Sequence, residues 1–462
     1  MLKNGIIYQA YLPSFVKKIP DITGKIQYLK SLNVNYLWLN PIYENGGKDC
    51  GYDIVDYLKI NPKYGNIQDL TQLITSLNNE KIKILMDLVI NHTSNKHIWF
   101  QKSIDKIEPY TDYYIWRDKK DVNFNLKSEF ENTAWTYNHK RKQYYYHYFY
   151  KEQPDLNLKN KLVIDEIKKI IKFWFEKGIG GFRMDAISCL IPNEKSGKQL
   201  NTARTFKLLN ELRYWIKTKL SNNFLLLGET EFDNISVAKQ FYKSIDLVMN
   251  YRLAYINKLD PLIFRNELKK WYKLTNNISK TPLFYFYNHD RKRQRYGENN
   301  YYIAKLMSAI LLIQSGIKII YYGQEINMRE GKNNYIDEHG RDGCRTPMQW
   351  NDSYINSPDW IKINDEYKFN NVCIQNKDPD SILNWYRFLT KFQKNIQKIN
   401  DILLDNNLLV IYLKKKTKNY KIIFNFENSY KKYLLNNIIK RSYIHSEKNI
   451  INPFEVIIIH IN

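Results

Sequence analysis

An alternation of two residue patterns constrains this chain more than any other feature. Short apolar runs and longer amphipathic stretches follow one another from residue 5 to about 325. Apolar runs of four to six residues read as buried strands, and stretches with apolar residues every third or fourth position read as helices. The strand-like runs are 6–11, 36–39, 83–88, 181–184, 225–228, 247–249, 283–287 and 317–321. Between them the helical pattern is clearest over 67–78, 162–176, 202–220 and 301–314. Strands alternating with helices in this way predict an α/β fold, a parallel sheet closed into a (β/α)₈ TIM barrel. An open doubly wound sheet is the alternative, and the lack of a Gly-rich turn after the first strand argues against it.

Three of the runs end in an acid. Asp185 closes Gly-Phe-Arg-Met-Asp, Glu229 closes Leu-Leu-Leu-Gly-Glu and Asp290 closes Phe-Tyr-Asn-His-Asp. Carboxylates at the C-terminal ends of several barrel strands occupy the face where such barrels carry their active sites. A single acid in this position is more often a helix cap or an ion-pair partner. Three in one register point to chemistry, and facing carboxylates are the machinery of glycoside hydrolysis.

The rhythm breaks twice. Residues 89–161 are rich in Tyr, Trp, Asn and Asp and too long for a structureless loop. They predict a subdomain inserted after the third strand. From about residue 396 alternating runs at 408–413, 420–424 and 454–461 predict a small antiparallel β-domain. The expected organisation is a catalytic barrel over 1–90 and 156–395, an inserted subdomain over 91–155 and a sandwich-like β-domain over 396–462.

The net charge of +24 raises the question of nucleic acid. Lysines spread evenly along the chain argue against a binding patch. The one dense run, Arg-Lys-Arg-Gln-Arg at 291–295, follows Asp290 and reads as a site rim. Cys50, Cys189, Cys344 and Cys373 lie far apart and match neither a zinc spacing nor a disulfide framework. The N-terminus lacks the apolar core and small-residue cleavage site of a signal peptide. No segment reaches the roughly 18 apolar residues of a membrane span. A reduced, soluble, cytoplasmic protein is expected.

Eight segments in order carry a family resemblance. They are Trp-Leu-Asn-Pro-Ile-Tyr (38–43), Gly-Tyr-Asp-Ile-Val-Asp-Tyr (51–57), Asp-Leu-Val-Ile-Asn-His-Thr-Ser (87–94) and Gln-Pro-Asp-Leu-Asn (153–157). The others are Gly-Phe-Arg-Met-Asp (181–185), Leu-Gly-Glu-Thr (227–230), Tyr-Asn-His-Asp (287–290) and Gly-Arg-Asp-Gly-Cys-Arg-Thr-Pro-Met-Gln-Trp (340–350). The chain resembles the α-amylase family of retaining glycoside hydrolases, in its oligo-1,6-glucosidase and α-glucosidase branch. The resemblance implies that Asp185 is the nucleophile, Glu229 the general acid/base and Asp290 the third acid, which holds sugar hydroxyls. It implies that Arg183 keeps Asp185 ionised and aimed, and that Asp87 supports that arginine. His92 and His289 match the family's hydroxyl-binding histidines, and Tyr52 the aromatic stacked under the glucose. Asp53 matches an acid gripping the distal hydroxyls, paired with Arg345 or, in the alternative, Arg341. Such a pair would close the pocket behind one sugar and make the enzyme exo-acting.

This chain departs from the family in four places, one of them a trimmed loop between Asp185 and Glu229. Where relatives carry an Asp-rich calcium loop, residues 15–25 hold one Asp and three Lys, so no metal is expected. After Asp290 the loop is shorter and more basic than in relatives. Ala186 replaces the Val or Thr that sorts 1,6 from 1,4 preference. The expected function is an exo-α-glucosidase on short gluco-oligosaccharides, with no cofactor, no nucleic-acid or membrane partner, and a monomer or weak oligomer. The alternatives are a trehalose-6-phosphate hydrolase, its phosphate met by the 291–295 run, and a transglucosylase or isomerase. A non-catalytic relative is opposed by the presence of all three acids.

Overall fold

The computed structural model describes residues 3–230, 235–293, 300–331, 337, 339–353, 358–444 and 446–461. Eight strands form one sheet: β1 (Gly5–Ala10), β2 (Tyr36–Leu39), β3 (Lys83–Leu88), β4 (Gly181–Met184), β5 (Leu225–Gly228), β6 (Leu247–Val248), β7 (Leu283–Phe284) and β8 (Ile317–Tyr321). Every pairing is parallel, in the order β6-β5-β4-β3-β2-β1-β8-β7. β8 beside β1 is the pairing that turns a row of strands into a barrel. Side chains complete the ring where β6 meets β7. Leu247, Met249, Leu283 and Tyr285 share one buried cluster with Ile7, Trp38, Leu85, Leu227 and Ile319.

Each strand is followed by a helix: α1 (Ile26–Ser31), α2 (Ile67–Asn79), α3 (Lys161–Glu176), α4 (Ala203–Lys219), α5 (Ile235–Phe241), α6 (Pro261–Asn277), α7 (Tyr301–Leu312) and α8 (Ile382–Gln393). The local causes are legible in α2. The Asn66 side chain accepts from the Gln68 and Asp69 backbone N–H groups, and Leu70, Leu73, Ile74 and Leu77 bury one stripe. Gly181 lets β4 lie against β5, because a Cβ there would stand 2.2 Å from the Leu225 carbonyl oxygen.

β6 and β7 are shorter than the apolar runs at 247–249 and 283–287. Each pairs on one side only, β6 with β5 and β7 with β8. Within 91–155, Trp116–Arg117, Gln143–Tyr146 and Trp135–Asn138 make a three-stranded antiparallel sheet in that order. Isolated bridges between His92 and Asp155 and between Tyr114 and Leu156 tie this excursion back to the barrel.

The last section holds β9 (Ile396–Asp405), β10 (Leu408–Lys415), β11 (Lys418–Asn425), β12 (Ile438–Arg441) and β13 (Val456–Ile461), antiparallel in the order β9-β10-β11-β13-β12. Alternation sends Leu409, Ile411 and Leu413 into the main core and Leu408 and Val410 to a separate cluster with Leu435 and Ile451. Among the described residues, Lys431–Lys432 and Ile450–Ile451 form a two-stranded antiparallel pair that contributes Ile451 to this second cluster. Among the described residues no helix is long and apolar enough to cross a membrane.

Candidate active site

One guanidinium organises the C-terminal mouth of the barrel. Arg183 lies on β4 between Asp87 of β3 and Glu229 beyond β5. Its Nη1 stands 2.5 Å from Asp87 Oδ1 and 2.5 Å from Asp185 Oδ1, and its Nη2 stands 2.6 Å from Glu229 Oε2. The parallel register causes this, because it sets Arg183 beside Asp87 on one flank and Leu227 on the other. Trp38 Nε1 donates to the other Asp87 oxygen at 2.7 Å. The Ala186 backbone N–H donates to Glu229 Oε2 at 3.2 Å.

Burial pushes the Asp185 carboxyl well above its ordinary range; Arg183 opposes this, and Glu229 and Asp87 reinforce it. Burial likewise raises Asp87 to about 6 against the pull of Arg183. Asp290 behaves in the opposite way. Burial would raise it, but His289, Arg345 and Arg341 together hold it well below the carboxylate range. Burial lowers His92 to about 4 and His289 to about 3, so both rings are neutral near pH 7. With Gln9 Nε2 donating to His289 Nδ1 at 2.9 Å, the ring proton sits on Nε2, 3.1 Å from Asp290 Oδ2. The Tyr52 ring stacks on His289 at 5.3 Å and 10°.

Asp185, Glu229, Asp290, Tyr52, His92, His289 and Arg341 all line a single cavity of about 260 Å³, and Arg183 lies beneath it. Asp53 and Arg345 do not form the expected pair. The Asp53 carboxylate turns into its own hairpin, accepting the backbone N–H groups of Lys48 at 3.1 Å and Asp49 at 3.3 Å. Arg345 donates to Asp290 Oδ1 at 3.0 Å and to the His289 carbonyl at 2.6 Å. The acid facing the cavity is Asp49. Arg341 Nη2 pairs with it at 2.8 Å, and Arg341 Nη1 reaches Asp290 at 3.3 Å. Gln153 Nε2 joins this wall, 3.0 Å from Asp49 Oδ2 and 3.0 Å from His92 Nε2.

The basic run after Asp290 is divided. Arg291 lines the cavity with its guanidinium 3.5 Å from the centre of the Tyr255 ring. Arg293 is buried over Tyr321 and Tyr322 and donates to the Cys344 carbonyl at 3.0 Å. Lys292 is exposed, and Gln294 and Arg295 lie outside the described residues. In the stretch that replaces the calcium loop, the Asp21 carboxylate accepts the Lys18 backbone N–H at 2.9 Å. Among the described residues no group of three or more His, Cys, Asp or Glu is placed to hold a metal.

A family model for the alpha amylase catalytic domain matches residues 18–401. The chain belongs to the α-amylase family of glycoside hydrolases. It is 32% identical to the oligo-1,6-glucosidase of Bacillus cereus over 489 aligned positions, covering 88% of this chain and 87% of the relative. It is 33% identical to the glucan 1,6-alpha-glucosidase of Streptococcus pneumoniae, covering 85% and 84% respectively. The solved trehalose-6-phosphate hydrolase of Bacillus licheniformis superposes with a TM-score of 0.88 at 27% identity, over 99% of both chains. In this α-amylase-family chain, Asp185 and Glu229 follow the ends of β4 and β5 with the Arg183 guanidinium between them. Sequence motifs had not pointed to Asp49, Gln153 as a wall residue, or Tyr251.

Proposed function

We propose that this chain is a retaining exo-α-glucosidase that removes terminal glucose from short α-1,4- or α-1,6-linked oligosaccharides. The observation that carries the reading is Arg341 bridging Asp49 and Asp290 on the wall of the cavity that also holds Asp185 and Glu229. A charged bridge there favours one sugar in a closed pocket over a chain threading an open cleft.

In the proposed cycle Asp185 attacks the anomeric carbon while Glu229 gives its proton to the departing glycosidic oxygen. The glycosyl–Asp185 bond forms as the bond to the leaving sugar breaks. Water then attacks the same carbon, Glu229 takes its proton, and Asp185 leaves as a carboxylate. Asp290, held ionised by its cationic neighbours, accepts hydrogen bonds from the sugar hydroxyls. Neutral His92 and His289 donate to or accept from them without competing as charges. The segment 91–155 acts as a subdomain roofing the site, with Phe130 and Phe149 on the cavity wall. A cytoplasmic location suits an enzyme on small imported sugars.

Glucose release from maltose, isomaltose and trehalose 6-phosphate, measured side by side, tests the reading. Release from maltose or isomaltose with first-formed α-glucose is expected, and first-formed β-glucose would overturn it. Exclusive use of trehalose 6-phosphate would favour the second reading, which rests on Arg291 at the cavity mouth. High-substrate product analysis would separate hydrolysis from transglucosylation.

A further inference from the structure

The two oxygens of the Glu229 carboxyl stand in different company. Oε2 faces Arg183 Nη2 at 2.6 Å and the Ala186 backbone N–H at 3.2 Å. Both are donors with no capacity to accept a proton's hydrogen bond. Oε1 faces the hydroxyl of Tyr251, which donates to it. A hydroxyl is the one partner of the three that also accepts. A proton on Glu229 therefore belongs on Oε1, where a hydrogen-bond acceptor is available, and not on Oε2, where two donors crowd it.

The Tyr251 ring is fixed on several sides. It opens a short helical turn whose Asn250 cap accepts the Arg252 N–H at 3.1 Å. Tyr285 meets it edge-on at 5.6 Å and 82°, Tyr255 leans on it at 5.7 Å, and the Arg291 guanidinium lies 5.2 Å over its face. Among the described residues, the charged and titratable groups around Glu229 are Asp87 on β3, Arg183 and Asp185 from β4, Tyr251 after β6, and Tyr285 and Arg291 from β7 and its loop. Of these, Tyr251 is the one placed on Oε1.

We propose that Tyr251 is a positioning residue that holds the reactive proton on Glu229 Oε1, accepting from the acid and donating to the carboxylate. The proposal rests on the glucosidase reading above. In the first step the proton leaves Oε1 for the glycosidic oxygen, and the Tyr251 hydroxyl turns to donate to the new carboxylate. In the second step Oε1 takes a proton from the attacking water and the hydroxyl turns back. One proton leaves Glu229 and one returns, and the phenol gives up none. Burial, reinforced by the neighbouring Glu229, keeps that phenol protonated far into the alkaline range.

Tyr251→Phe tests this, because it keeps the ring and its packing. On a natural disaccharide kcat should fall about ten- to hundredfold, as expected for a lost hydrogen bond to a charged group, with KM within about threefold. On an aryl glucoside with an acidic leaving group, which needs no proton, glycosylation should fall less than about threefold. Equal losses on both substrates, or wild-type rates on both, would overturn the proposal alone. A wild-type chain releasing no glucose from either substrate would overturn the glucosidase reading and this proposal together. Thermal melting of the variant within a few degrees of wild type shows that its fold is intact.

Discussion

One part of the cavity lining is made of charges that neutralise one another, and another part of rings. Asp49, Asp290, Arg341 and Arg345 form a linked set in which each acid meets at least one guanidinium. Tyr251, Tyr255 and Arg291 pack at ring-contact distances, and the Tyr251 hydroxyl donates to Glu229. A network of buried ion pairs tolerates little displacement, because each charge left unpaired is costly. Stacked rings tolerate sliding and recognise shape more than hydroxyl pattern. An ion-paired lining is suited to holding one group in place, and a ring lining to accepting several shapes.

The predictions test how sharp that division is. Asp185→Asn should reduce turnover by more than about 10⁴-fold with the fold retained, since the proposed nucleophile has no substitute. Residual turnover within tenfold of wild type would refute the assignment. Arg183→Met should cost about 3–5 kcal/mol of stability, measured by denaturant unfolding, because it strands three buried carboxylates. An unchanged midpoint would show that the acids are not charged together.

His92 gives a test in pH. Its pKa drops from the ordinary 6.5 to about 4 in the folded chain through burial. The stability it contributes is complete above about pH 6.5 and is lost as pH falls toward 4. His92→Gln should therefore gain about 2–3 kcal/mol on wild type between pH 7 and pH 4. Parallel stability curves would count against a neutral buried ring.

Asp49 and Asp53 form the closest internal comparison. Asp49→Asn should raise KM about ten- to hundredfold, as for a hydrogen bond to a charged group. Asp53→Asn, remote from the sugar, should change KM less than about threefold and act through hairpin stability. The reverse order would restore the Asp53 pairing. In the ring-lined part, Arg291→Ala should change KM for neutral disaccharides less than about tenfold. A larger effect confined to a phosphorylated substrate would reassign the leaving-group side.

The barrel was legible because each strand must bury both faces, which leaves continuous apolar runs in the chain. The acids at 185, 229 and 290 were legible because they end such runs. Asp49 was not. It and Asp53 are both acids on one short hairpin, and only the fold of that hairpin decides which faces the cavity and which caps the backbone. Arg341 and Arg345, four residues apart in one turn, pose the same problem. After residue 396 the alternation reveals a sheet with two buried faces but not what covers the second. Tyr251 follows a two-residue strand in a region with no polar motif, so its contact with Glu229 depends on packing among Tyr255, Tyr285 and Arg291.

The proposed reaction depends on covalent catalysis by Asp185 with Glu229 as its proton partner. Mass-spectrometric peptide mapping of the Glu229→Gln variant, quenched during turnover of an activated aryl glucoside, tests it most directly. Loss of the base should let the glycosyl-enzyme accumulate, and the added glucosyl unit should map to the peptide carrying Asp185. A glucosyl unit on any other residue, or steady aryl release with no labelled peptide, would contradict it.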